Sequence, residues 1–170
     1  GDVPDTPLLA MAKAGRLHDP AVIDQQVRRM LQNSKSDNLV TNFFQRWLSL
    51  DRLEKAKPDP KLFPAFDAEL LQAMGTETNL FLENQLREDH GALELLTANY
   101  TFVNERLARH YGIPNVSGSE FRRVSWPDKN RAGILGQSSW LTVTSISNRT
   151  SPIIRGKSIL DSVFGTPTPP

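Results

Sequence analysis

Along most of the first 112 residues, apolar side chains recur at three- and four-residue spacing, the period of amphipathic helices. Thr6–Pro7 supplies a cap and a first-turn proline, and predicts a short helix through Leu8, Leu9 and Met11 that ends at Gly15. Asp19–Pro20 repeats the signal, and Val22, Ile23, Val27, Met30 and Leu31 mark one face of a second helix. Ser36 reads as the cap of a third, whose Leu39, Val40, Phe43, Phe44, Trp47 and Leu48 form a broad aromatic face suited to a core. Lys57-Pro58-Asp59-Pro60 is a rigid break. Beyond it Phe63, Phe66, Leu70, Leu71, Met74, Leu80, Phe81 and Leu86 trace the longest helix, over about residues 65–87. Thr101 reads as the cap of a further helix through Phe102, Val103, Leu107 and Tyr111, closed by Gly112.

After Pro114 the pattern changes. Phe121, Val124 and Trp126 have the alternation of a short strand. Gly133, Gly136 and Ser138 sit in the apolar stretch 134–141, which predicts a small-residue helix packed closely on a neighbour. The β-branched Thr142-Val143-Thr144 favours extended backbone. Ser151–Pro152 starts a last helix, with Ile153, Ile154, Ile159, Leu160, Val163 and Phe164 as its buried face. Gly165 and the prolines Pro167, Pro169 and Pro170 end it. The fold class predicted is mainly α: a helical bundle, then a short extended segment and two further helices.

Composition narrows the partners. The 20 basic and 19 acidic residues leave a net charge of +1, so no field of one sign argues for nucleic acid. No apolar run approaches the roughly 18 residues of a membrane span. The chain has no cysteine, which removes disulfides, thiol catalysis and covalent c-type haem attachment within it.

Candidate chemistry is sparse. His110 ends the run Asn104-Glu105-Arg106-Leu107-Ala108-Arg109-His110-Tyr111. A neutral imidazole there could meet a haem edge or serve as an axial ligand, whereas a histidine near a helix C-terminus also suits the macrodipole without any ligand. Arg106, four residues before it, opposes its protonation. His18 and His90 sit in loop-like contexts as caps or surface groups. Arg149, Arg155 and Lys157 surround the Ser151–Pro152 helix start, where they could hold an anion or anchor the loop to carboxylates and carbonyls. Glu69, Glu77, Glu83, Glu88 and Asp89 lie on or just beyond the long helix; pairs such as Glu83 and Arg87 at i, i+4 read as ordinary surface salt links, and the converging carboxylates of a glycosidase cannot be read from spacing. No HExxH, GxSxG or phosphate-loop motif occurs, so no metal or catalytic residue is assigned.

The runs PDPKLFPAFDAELLQAM, LTANYTFVNERLARHYGIPNVSGSEFRRV, RAGILGQSSWLTVTS and RTSPIIRGKSILDSVFGTPTPP resemble two adjacent domains of large exported proteins of planctomycetes and related bacteria. These are the domain-of-unknown-function families numbered 1592 and 1588, in that order, which divides the chain into residues 1–116 and 117–170, ending in a proline-rich linker. The resemblance implies a periplasmic or otherwise extracytoplasmic location and a c-type haem on an adjoining segment. Its implied partners are the remaining segments of the same polypeptide, a haem domain among them, with both ends of this chain as cuts. It implies a non-catalytic scaffold or binding module in an electron-transfer protein. The alternatives are part of a redox or carbohydrate-active enzyme completed by other segments, and a structural interaction subunit.

Overall fold

In the computed structural model residues 3–166 are described, and they fold as two units that divide between Asn38 and Leu39. The class is mainly α, with two small two-stranded sheets. Pro167, Pro169 and Pro170 lie outside the described residues. None of the described helices is long and apolar enough to cross a membrane.

The first unit holds α1 (Thr6–Lys13) and α2 (Pro20–Leu31). Its first cap is Asp5 rather than Thr6: the Leu8 N–H donates to Asp5 Oδ1 at 3.1 Å, because a carboxylate one residue earlier reaches the first turn. Asp5 also accepts from Arg29 at 2.6 and 3.0 Å, and that hydrogen-bonded cation holds its carboxyl below the usual range. Asp19 caps α2 as expected. Of the predicted apolar face only Val22 is buried, while Ile23, Val27 and Met30 are exposed.

The second unit is built around α4 (Ala68–Arg87), which starts at the Asp67 cap, three residues later than predicted. Its buried stripe runs Leu70, Ala73, Met74, Glu77, Thr78, Phe81, Leu82 and Gln85. At one end Leu70, Ala73 and Met74 pack with Leu53, Val103, Leu107 and Ala108. At the other, Phe81 and Leu82 pack with Val40, Phe44, Leu48, Leu50, Tyr100, Ile134 and Trp140. Burial of Phe81, which is 0% exposed, contributes roughly 2–3 kcal/mol. Glu77 and Thr78 fall between these clusters, a polar layer in the middle of an apolar helix face.

A π-helical stretch, Leu39–Phe44, leads into α3 (Gln45–Trp47). Val40, Phe44 and Leu48 carry the predicted core face, but Phe43 is exposed. Ser36 is no cap: Asn33 caps the turn Ser34–Ser36, and Ser36 Oγ donates to the Leu31 carbonyl. The short α5 (Glu94–Thr97) precedes β1 (Tyr100–Val103), which stands where the helix capped by Thr101 was expected. The cause is non-local. β1 pairs antiparallel with β2 (Arg122–Ser125), Thr101 opposite Val124, and α6 (Glu105–Tyr111) begins later, capped by Asn104. Gly112, at φ 71°, closes α6 as expected.

Between residues 131 and 164 a 3-10 turn, Ile134–Gly136, leads into α7 (Ser138–Val143). Thr142 and Val143 are therefore helical rather than extended, and Thr144 Oγ1 folds back to the Trp140 carbonyl at 2.8 Å. A hairpin of β3 (Ser145–Ile146) and β4 (Arg149–Thr150) follows, then α8 (Pro152–Ser158), capped by Ser151. A π turn, Ile159–Val163, ends the described chain's helices. Trp47 Nε1 donates to the Ser162 carbonyl at 2.6 Å and Ser162 Oγ donates to the Trp47 carbonyl at 3.0 Å, pinning this turn to α3. The apolar face predicted for the last helix is mostly outside: Ile153, Ile154, Leu160 and Phe164 are exposed, and Ile159 and Val163 are half-buried.

Candidate functional site

The polar layer of α4 reaches into the C-terminal segment. Glu77, fully buried, accepts from Thr101 Oγ1 at 2.5 Å and from Tyr111 OH at 2.6 Å. Desolvation pushes its carboxyl up to about 8, against the opposing pull of these donors and of Arg131, so it is protonated at neutral pH, and in that state its own O–H donates to Thr101 Oγ1 while Tyr111 still donates to it. Sequence placed Glu77 on the long helix without a role; the structure buries it. Its spacing with Leu70, Met74 and Phe81 was the signal that could have placed it inside.

Tyr111 OH also accepts from the Ser138 N–H at 2.7 Å, so a phenol on α6 caps the first turn of α7, where Gln137 makes no side-chain cap. The Tyr111 hydroxyl is pushed well above its ordinary value by burial and by the Glu77 carboxyl. Beside it Thr78 Oγ1 donates to Gln137 Oε1 at 2.8 Å and lies 2.5 Å from Ser139 Oγ. Tyr111→Phe is expected to cost about 2–3 kcal/mol, because it leaves a buried N–H and a buried carboxyl oxygen each without a partner. Urea unfolding at pH 6 measures this; a loss within a few tenths of a kcal/mol would remove Tyr111 from the layer.

Next to this layer opens a cleft of about 860 Å³. Arg52, Lys55 and Lys57 line it from the 3-10 helix Leu50–Lys55 and the chain after it, and Arg149 and Arg155 from β4 and α8. Arg131 and His110 complete the charged and titratable lining, which among the described residues contains no carboxylate. Buried Met74 and Ser138, with Phe63, Leu141, Val143 and Ile146, supply neutral surface. The Asp59 N–H donates to the Ser147 carbonyl at 2.7 Å, tying the loop after Lys57 to the hairpin.

Two of the guanidiniums are fixed by neutral groups. Arg131 Nη1 donates to the Gly136 carbonyl at 2.7 Å, with its guanidinium 4.8 Å from the Tyr111 ring centroid. Arg155 donates through Nε to Thr144 Oγ1 and through Nη2 to the Leu141 carbonyl and Ser145 Oγ, each at 3.3 Å. Neither is paired with a carboxylate among the described residues. His110 is exposed on α6 at the edge of the cleft, and desolvation, then Arg131 and Arg106, lower its pKa and keep the imidazole neutral. Lys157 is exposed on α8 and does not line the cleft. His90 lies 3.0 Å from both Glu88 and Glu94. Among the described residues no group of three His, Cys, Asp or Glu could hold a metal.

The structure thus brings His110, Arg149 and Arg155 to one cleft and adds Arg52, Lys55, Lys57 and Arg131. Residues 1–113 match the family model PSD4, a protein of unknown function (DUF1592). The chain belongs to the DUF1592 family. Residues 131–170 match a second model, PSCyt3, also a protein of unknown function (DUF1588). No curated protein and no solved structure matches the chain.

The cleft and the polar layer are each assembled from both matched stretches. The DUF1592 stretch contributes Arg52, Lys55, Lys57, Glu77 and His110; the DUF1588 stretch contributes Arg131, Ser138, Arg149 and Arg155. The Tyr111–Ser138 hydrogen bond runs from one to the other. Ile134 and Trp140, from the second stretch, lie in the same core cluster as Val40 and Phe81 from the first.

Proposed function

We propose that this DUF1592 protein is a non-catalytic binding module of a larger extracytoplasmic polypeptide that also carries a c-type cytochrome. The observation that carries the binding half is the single-sign lining of the cleft: among the described residues, six Arg and Lys side chains and no carboxylate, in a chain whose net charge is only +1. Charge gathered in a concave surface attracts and orients an anionic group. Guanidiniums held by carbonyls and rings keep both their charge and their free N–H groups for it. In this reading Arg155 is a ligand contact, Arg149 adds charge at the rim of the cleft, and Lys157 adds only to the field around it.

The cytochrome half is supported by the family name PSCyt3. Covalent c-type haem attachment takes cysteines, and this chain has none, so its residues do not fit a resident haem. The haem belongs to an adjoining segment. Exposed, neutral His110 is the side chain this module offers to a haem edge.

The test is isolation of the complete native protein, followed by a visible spectrum and amine-directed cross-linking with mass spectrometry. The expected result is a Soret band, with Lys55 or Lys57 cross-linked to the haem-bearing segment. A colourless protein, or a haem protein with no such cross-link, sinks the cytochrome half of the reading.

A further inference from the structure

Six cations share one cleft, yet none of them forms an ion pair among the described residues. Elsewhere on the chain arginines do find carboxylates: Arg29 pairs with Asp5, Arg106 with Asp67 and Arg109 with Glu105. Glu77, whose carboxyl feels the charge of Arg131, is buried in the polar layer with its oxygens engaged by Thr101 and Tyr111. Like charges crowded without counter-charge repel one another, so this arrangement is held at a cost that an anion relieves.

The positions of the anchored cations describe what that anion is. Arg131 sits where α6 meets the turn before α7, against Tyr111 and with Trp126 nearby, whereas Arg155 sits at the hairpin end, against Thr144 and Ser145. These are two separate guanidinium sites, each with N–H groups left over after its anchoring bonds. Neutral surface from Met74, Leu141 and Val143 shares the same cleft. Its volume, about 860 Å³, is in the range of small-molecule sites.

We infer that the cleft binds a small organic anion bearing at least two carboxylate, phosphate or sulfate groups, one at Arg131 and one at Arg155, across a neutral body. The inference rests on the binding-module reading and names its ligand class. Arg52 and Arg149, which line the cleft and are exposed, add charge at its rim. Carboxylates, phosphates and sulfates share the planar or tetrahedral oxygen sets that guanidiniums grip with paired N–H bonds.

Isothermal titration of the full chain with trimesate (benzene-1,3,5-tricarboxylate) tests the claim, with benzoate as the one-carboxylate comparison and pyrophosphate as the body-free one. Trimesate is expected to bind at least about tenfold more tightly than benzoate, the worth of one further charge-assisted contact. Pyrophosphate, which has no neutral body to lie against Met74, Leu141 and Val143, should bind more weakly than trimesate. Arg52→Ala and Arg149→Ala, both exposed and outside the core, should each weaken trimesate binding by about three- to tenfold. Lys129→Ala, an exposed cation away from the cleft, serves as the control.

Equal affinity for trimesate and benzoate overturns the inference. So does a titration that sodium chloride at matched ionic strength reproduces, or one that Lys129→Ala weakens as much as Arg149→Ala. Binding of poly-glutamate without binding of trimesate replaces the small ligand with an acidic polypeptide. Failure here is separable from failure of the module reading. Haem cross-links without trimesate binding remove only the ligand, and trimesate binding in a colourless protein removes only the cytochrome.

Discussion

Glu77→Gln is expected to abolish most of a decline in stability between pH 5 and pH 8. In the folded chain the Glu77 carboxyl titrates at about 8, raised by burial from an ordinary value of 4.5. The folded pKa is the higher one, so its contribution is fully present below the unfolded value and is lost as pH rises through the folded one. Over that window the unfolded chain releases the proton while the folded chain keeps it, and stability falls by about 1 kcal/mol per pH unit. A glutamine carries no proton to lose. Its amide can donate to Thr101 Oγ1 and accept from Tyr111 OH, so both hydrogen bonds of the layer survive.

The variant should therefore gain roughly 3 kcal/mol on the natural protein at pH 7 relative to the same comparison at pH 4. His110 titrates in both proteins and cancels from the difference. Urea unfolding of the pair at pH 4, 5, 6, 7 and 8 measures it. Parallel pH profiles would falsify the assignment of Glu77 as a neutral buried acid.

Gly133→Ala is expected to lower the melting temperature by about 6–12 °C, from a loss of about 3 kcal/mol or more. Gly133 holds φ 49° and ψ −161°, backbone that side-chain-bearing residues avoid. A Cβ there would also run into the Leu95 carbonyl oxygen and the backbone of Leu96. The N–H of Gly133 donates to the Ala98 carbonyl at 2.8 Å, so the approach is a fixed contact and cannot open without losing it. The next residue, Ile134, is 1% exposed in the core, and a shift of this turn disturbs it too.

Gly156→Ala provides the contrast. Gly156 lies inside α8 with open space where a Cβ would go, and alanine there should stabilise by up to about 1 kcal/mol. Differential scanning calorimetry of both variants separates the two cases. A Gly133→Ala protein that melts within a degree or two of the parent would show that this turn does not pack against residues 95–96.

What could be read without coordinates was local. The Asp19–Pro20 and Ser151–Pro152 starts, the Gly112 stop and the long helix depend on side chains within one turn of the residues they serve, and the structure keeps all of them. The β2 segment was legible from its alternation. Tyr100–Val103 was not, because aromatic and β-branched residues fit either a capped helix or a strand until Arg122–Ser125 pairs with them. Thr142 and Val143 went the other way, into a helix whose end is held by Thr144 and Ser145 bonding back to Trp140 and Leu141.

The candidate site divides along the same line. Sequence singled out His110, Arg149 and Arg155 from their places near helix ends, and it carried the resemblance that the family match bears out. It gave no reason to join them to Arg52, Lys55, Lys57 or Arg131. A balanced total of 20 basic and 19 acidic residues hides where each sign gathers. The sequence by itself determined the helical class, some helix ends and the family, because capping, proline chemistry and apolar period act over a few residues. Only the tertiary structure decided that Glu77 is buried and neutral, that α7 is capped from α6, and that the cations of distant segments face one cleft. Burial and electrostatic potential depend on which segments meet in space, and chain order alone does not record those distances.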